Sequence, residues 1–345
     1  MNFTAMAADK VMQDLVDCLL AEHFFGTEPL NLVAPSASAG QPFTGLSAGQ
    51  RIWEWPCGPQ GSIVIALRPG ITQQWEKVPG TPVWARQDEQ LTELSPEAFT
   101  TQVLAGMTER YPDNEKGFAL FLDVLRTSVR QTELSLNHGV DSERLLEKGN
   151  ADFFLTMEQW ASLRDRPYHP LAKAKQGLSD REYQQYQAEF ARPVALHWVA
   201  VDRTLLQCGD GVTDLAQRYP AQYLLPPLLQ ADLQQELQQR GIAQSHVALP
   251  VHPWQFEHVL QAQLGDAFAR GDCQRLDFKD GDFFATSSLR SMTPCFNSAD
   301  YLKLPMAIYS LGASRYLPAV KMINGGLSEA LLRQALGKDE TLQQS

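Results

Sequence analysis

The sequence predicts a mixed α/β fold of the α+β kind, in two units. Three observations carry this: short β-rich pieces crowd residues 52–85, long helical patterns follow over 96–163, and strands and helices then alternate irregularly to residue 336. With 345 residues, 44% of them apolar, the chain can bury more than one core. The boundary falls near residues 132–149, giving a small α+β unit over 1–140 and a larger mixed unit over 141–345.

Helical spacing of Val11, Leu15, Cys18, Leu19 and Phe24 predicts an opening helix over 6–23, with Gly26 as its stop. Residues 52–55, 62–67 and 82–85 are rich in β-branched and aromatic side chains and broken by Pro and Gly, which is the pattern of strands in a small sheet. Helices are expected over 96–111, 115–134 and 151–163, with acidic residues near their starts, where the helix dipole favours them. Ser179 and Glu182 form a capping box that opens a helix running through Phe190. After Pro193, the apolar run 194–201 reads as a buried strand. Residues 222–240 read as a helix kinked or broken by Pro226 and Pro227 and stopped at Gly241. Strands are expected over 247–251 and 277–287, the second containing a Lys279-Asp280-Gly281-Asp282 turn. A helix over 301–311 and another over 328–336, closed by Gly337, complete the chain.

Lys and Arg number 29 against 40 Asp and Glu, a net charge of -11, which argues against nucleic-acid or acidic-membrane partners. Asp9, Lys10, Asp14 and Asp17 interrupt the first twenty residues, so they do not form a signal peptide. No apolar run is long enough to span a bilayer, and the expected location is cytoplasmic. The cysteines Cys18, Cys57, Cys208, Cys273 and Cys295 are scattered and contain no C-x-x-C pair, so they read as reduced thiols and no metal ligands are assigned.

There is neither a P-loop nor a dinucleotide fingerprint, so any phosphate must be held by side chains. Three clusters are candidates. Residues 166–177 place His169 among Arg166, Lys173 and Lys175 and two prolines; an anion site and a solvated basic face both fit. In Pro250-Val251-His252-Pro253-Trp254-Gln255 an apolar strand ends at an imidazole; a core plug with His252 bonded to backbone and a ligand contact both fit. Ser287-Ser288-Leu289-Arg290-Ser291, then Lys303, then Arg315, set cations and hydroxyls among apolar residues, where burial without anions is costly. Guanidinium forks, a lysine charge and serine hydroxyls make a workable phosphate clamp, although three separate solvated faces fit the same spacing.

Taken in this order, the clusters resemble the aerobactin-synthetase-like family, the IucA/IucC-like NRPS-independent siderophore (NIS) synthetases. The resemblance rests on His169 to Gly177, Pro250 to Gln255, Ser288 to Ser291, Lys303, and Arg315-Tyr316-Leu317-Pro318 with Asn324-Gly325. It covers residues 151–336, while residues 1–150 offer only compatible length and pattern. The chain departs from the family pattern at Asp165-Arg166, where Gly-His is frequent, at Ser291, where Thr is usual, and in length.

The resemblance implies the thumb and fingers of a cupped hand, with residues 1–140 thumb-like and 141–345 a fingers-like nucleotide-binding domain, and the carboxy-terminal palm absent. It implies that His169, Ser288, Arg290, Ser291, Lys303 and Arg315 contact the phosphates of ATP bound with Mg2+. Arg290, Lys303 and Arg315 would stabilise charge, and Arg315 would also reach the carboxylate substrate. The implied reaction condenses citrate or a citrate derivative with an amine, hydroxylamine or alcohol through an acyl-adenylate, in siderophore biosynthesis. The alternatives are a non-catalytic ATP-binding module that needs a separate palm-bearing chain, and an unrelated ATP-dependent ligase or kinase. The implied partners are these small molecules, with a homodimer or a palm-bearing chain as further possibilities, and exposed apolar surface is expected to promote self-association.

Overall fold

The structure, a computed structural model, describes residues 2–34, 43, 45–71, 73–107, 115–141, 143–146, 153–206, 221, 224–295, 301–339 and 341. Cys208 lies outside them, as do parts of the segments expected over 96–111, 151–163 and 222–240. The chain divides into two compact units, one formed by Met1–Glu143, Leu163–Gln184 and Tyr309–Gly312, the other by Arg144–Ser162, Gln185–Ile308 and Ala313–Ser345.

In the first unit, helix α1 (Phe3–Ala21) is capped by the Asn2 side chain, which accepts from Ala5 N at 3.2 Å. An antiparallel sheet follows: β1 (Leu32–Val33), β2 (Arg51–Pro56), β3 (Ser62–Pro69), β4 (Trp75–Lys77), β5 (Trp84–Gln87) and β6 (Gln90–Glu93). Its order is β1-β2-β3-β5-β6, with β4 on the far end of β3. Residues 63–67 of β3 are all buried. Ile63, Ile65 and Leu67 pack with Val11 and Leu15 of α1, with Phe99 and Val103 of α2 (Pro96–Gly106), and with Val124 and Leu125 of α3 (Glu115–His138). Val64 belongs to a separate cluster with Ile52 and Phe43, as the two-residue period of a strand requires. Burial on both faces is why β3 reads as a continuous apolar run. Gly61 brings β3 against β5, because a Cβ there would lie 2.1 Å from Arg86 O.

A polar pin joins α1 to β4. Asp17 Oδ1 accepts from Lys77 N at 2.7 Å, and Gln13 Nε2 donates to Asp17 Oδ2 at 2.7 Å and to Lys77 O at 2.8 Å. Lys77, fully buried, reaches Asp9 at 3.1 Å. Burial raises the Asp17 carboxyl above its ordinary range, against the lowering effect of these bonds.

In the second unit, β7 (His197–Asp202) is the centre of an antiparallel sheet between β8 (His246–Val251) and β9 (Cys273–Arg275). Trp198 and Ala200 pack with Leu233 and Leu237 of α6 (Pro227–Gln239), while Val199 packs with Phe256 and Cys273. A second sheet has the order β10 (Phe283–Ala285), β11 (Ser291–Pro294), β12 (Leu302–Lys303). Helix α4 (Phe153–Arg164) precedes these elements in the chain, and α7 (Ala319–Leu336) follows them.

Several expected elements take another form. The Ser179–Glu182 box is formed, with Glu182 N donating to Ser179 Oγ at 3.3 Å, but α5 (Asp180–Tyr186) ends four residues short of Phe190 and a 3-10 turn follows. Pro226 and Pro227 open α6 as N-cap and first residue, where proline loses nothing, instead of kinking it. In 277–287 only 283–285 is a strand, because the expected turn residue Asp280 is buried and accepts from Trp198 Nε1 at 2.8 Å. Residues 301–311 are not helical: Leu304, Met306, Ile308 and Ser310 are buried alternately, a strand-like period, and Pro305 removes a donor. The last helix starts at Ala319 and runs through Gly325-Gly326, with every described side chain exposed.

Candidate functional site

The β10–β11 connection is a tight turn. Thr286 N and Oγ1 donate to Ser291 O at 2.9 and 2.7 Å, Arg290 N donates to Ser288 O at 2.7 Å, and Leu289 takes a left-handed φ of 61° with its side chain buried. Ser288 Oγ donates to Ser291 Oγ at 2.9 Å and accepts from Ser291 N at 3.2 Å. From α4, Glu158 holds the turn, accepting from Ser287 N at 2.8 Å and from Ser287 Oγ at 2.5 Å through one oxygen. Glu158 lies 129 residues from Ser287 along the chain, and nothing in the sequence signals the contact.

Ser291 and Lys303 are cross-strand partners, so their side chains share a face, and Lys303 is exposed. Arg290 Nη1 donates to Arg315 O at 2.6 Å and to Tyr316 O at 2.9 Å, which ties the Arg315 segment to the turn. Among the described residues no carboxylate pairs with Arg290, and its Nη2 and Nε make no hydrogen bond. Its guanidinium pKa is lowered by burial and then by the positive charge of Arg315. Ser288, Arg290, Ser291, Lys303 and Arg315 thus gather at one place in the second unit.

His169 belongs to the first unit, on the turn that follows α4. Its Nδ1 accepts from Leu171 N at 3.2 Å, which leaves the neutral ring's proton on Nε2. Burial, then the charge of Arg166, lowers its pKa. A neutral imidazole with an Nε2 donor results.

Of the two readings of Pro250 to Gln255, the core plug is the one observed. Trp254 is buried, and His252 Nδ1 accepts from Trp254 N at 3.2 Å. Burial, with a smaller contribution from His197, takes the His252 pKa down to about 3. Gln255 Oε1 accepts from Ala307 N at 2.8 Å, linking this turn to the segment after β12. Among the described residues no group of three His, Cys, Asp or Glu side chains is placed to hold a metal, and no helix is long and apolar enough to cross a membrane.

The second unit thus holds a hydroxyl-lined turn with two arginines and a lysine beside it. Residues 153–345, more than half of the chain, match the IucA / IucC family. The chain belongs to that family. It is 38% identical over 190 residues to staphyloferrin B synthase of Staphylococcus aureus, an overlap of 55% of this chain and 32% of that protein. To D-ornithine–citrate ligase of the same organism it is 29% identical over 221 residues, covering 61% and 32%. The petrobactin biosynthesis protein AsbB of Bacillus anthracis has the same fold, with a TM-score of 0.76 at 17% identity over 99% of this chain and 53% of AsbB. The chain thus spans about a third of these curated relatives and about half of the solved structure.

Proposed function

We propose that the chain acts in cytoplasmic siderophore biosynthesis as an ATP-dependent ligase, joining citrate or a citrate-derived carboxylate to an amine, hydroxylamine or alcohol. The observation that carries this reading is Arg290: a partly buried guanidinium with spare donors, no carboxylate partner among the described residues, and Arg315 close enough to lower its pKa. Such charge is costly without an anion, and a triphosphate supplies one. The ligases and synthases among its relatives, one named for citrate, point to the same chemistry.

In this reading the Ser291 hydroxyl donates to a phosphate oxygen, Ser288 joins it by turning its one hydroxyl proton from Ser291 Oγ to the phosphate, Arg290 and Lys303 offset phosphate charge, and His169 donates through Nε2. Arg315 offsets the repulsion between an incoming carboxylate and the phosphates. A carboxylate oxygen attacks the α-phosphorus and pyrophosphate leaves. The nucleophile then attacks the acyl carbon, loses its proton to solvent and displaces AMP. The cations position the reactants and stabilise charge as it moves to pyrophosphate; they transfer no proton. Mg2+ would come with the nucleotide, since among the described residues no group of three His, Cys, Asp or Glu side chains is placed to hold it, and it would supply further positive charge against the phosphates.

The test is calorimetry of Mg-ATP binding, followed by pyrophosphate release on adding citrate and a diamine. Arg290→Ala is expected to weaken binding at least about tenfold, the loss of one charge-assisted contact. Unchanged binding would remove Arg290 from the clamp. Binding without turnover would favour a nucleotide-holding module that works with a palm-bearing chain.

A further inference from the structure

Within the first unit, the turn carrying His169 is closed by an ion pair. Lys175 Nζ reaches Asp165 Oδ2 at 2.6 Å, bridging positions ten residues apart with His169 between them, and also donates to Ala172 O at 2.7 Å. Both side chains are largely withdrawn from water, at 6% and 17% exposure for Lys175 and Asp165. The lysine end is fixed to α3, since Lys175 N donates to Gln131 Oε1 at 2.8 Å, and Ser128 Oγ donates to Pro170 O at 2.7 Å. The other end bends through two left-handed residues, Asp165 at φ 54° and Tyr168 at φ 63°. Asp tolerates that conformation better than most residues but less well than glycine.

We infer that Asp165 and Lys175 are positioning residues that hold the His169 turn so that Nδ1 accepts from Leu171 N and Nε2–H is presented as a donor. This rests on the proposed role of His169 as a phosphate contact. A buried pair is worth little as net stability but fixes one geometry, because breaking it leaves a charge without a partner. Glycine, which has no Cβ, reaches the same φ without a carboxylate. What Asp165 adds is the tether to Lys175.

Histidine-labelled protein, read by long-range nitrogen NMR, reports the His169 tautomer directly, with His169→Ala assigning the signal. Asp165→Gly removes the tether while keeping a residue that accepts the left-handed φ, and Lys175→Met removes it from the other end. The expected result is a His169 signal that moves from the Nε2–H form toward a mixture of tautomers, with Mg-ATP binding weakened roughly tenfold. Lys175→Arg, which keeps the charge, is expected to retain most of the native signal. A native tautomer in folded Asp165→Gly and Lys175→Met would overturn the inference. If the tautomer changes as expected but His169→Ala binds Mg-ATP like the parent protein, the positioning stands and the phosphate role of His169 falls.

Discussion

Buried beside Tyr186 and bonded only through Nδ1, His252 stays neutral down to about pH 3, far below the usual imidazole range. A folded-state pKa depressed in this way gives stability that is complete above the unfolded value of 6.5 and is lost as the pH falls toward 3. The protein is therefore expected to lose roughly 2 kcal/mol between pH 7 and pH 5 from this residue alone. Urea unfolding at the two pH values measures it, and His252→Asn should flatten the slope even though it lowers stability at both. His169 contributes in the same direction. A slope unchanged in the variant would place the acid sensitivity elsewhere.

Elements here are fixed by contacts remote in sequence. Asp17 accepts from Lys77 N and Gln13 Nε2 at the α1–β4 junction, so Asp17→Ala should cost about 1–3 kcal/mol by leaving the buried Lys77 N unbonded, while Gln13 Nε2 keeps its bond to Lys77 O. Lys77→Met is expected to stay within about 1 kcal/mol, because it removes the desolvation penalty of a buried ammonium while half-exposed Asp9 returns to water. Thermal melts of the two variants separate the effects. At the β10–β11 turn, Glu158→Ala should weaken Mg-ATP binding while Glu158→Gln, which keeps an acceptor for Ser287, should not; calorimetry decides. These cases mark what was legible in the sequence. α1, α2 and α3 follow their apolar periods and β3 its unbroken apolar run, whereas β4 escapes notice because buried Glu76 and Lys77 look like surface residues. Residues 301–311 were open to misreading because Leu304, Met306 and Ile308 fit a helix by content and a strand by spacing.

At the scale of the molecule, the clustered residues from Ser288 to Arg315 were visible because they are near in sequence and β11 pairs with β12. Glu158 and the Asp165–Lys175 tether were not, since only the fold gives those side chains their partners. α7 has no buried described side chain and carries two adjacent glycines within it, so its amides should exchange with deuterium faster than those of α1 or α3. Mass spectrometry of peptides from each helix tests this. The first unit also takes back residues 163–184, bringing with them the core side chains Leu171 and Ala174, and later residues 309–312. No contiguous stretch of gene encodes that unit. A crossover near residue 143 would therefore deliver a recipient protein an unfinished core, so recombination among homologues can trade whole chains or single surface loops far more readily than it can trade this unit.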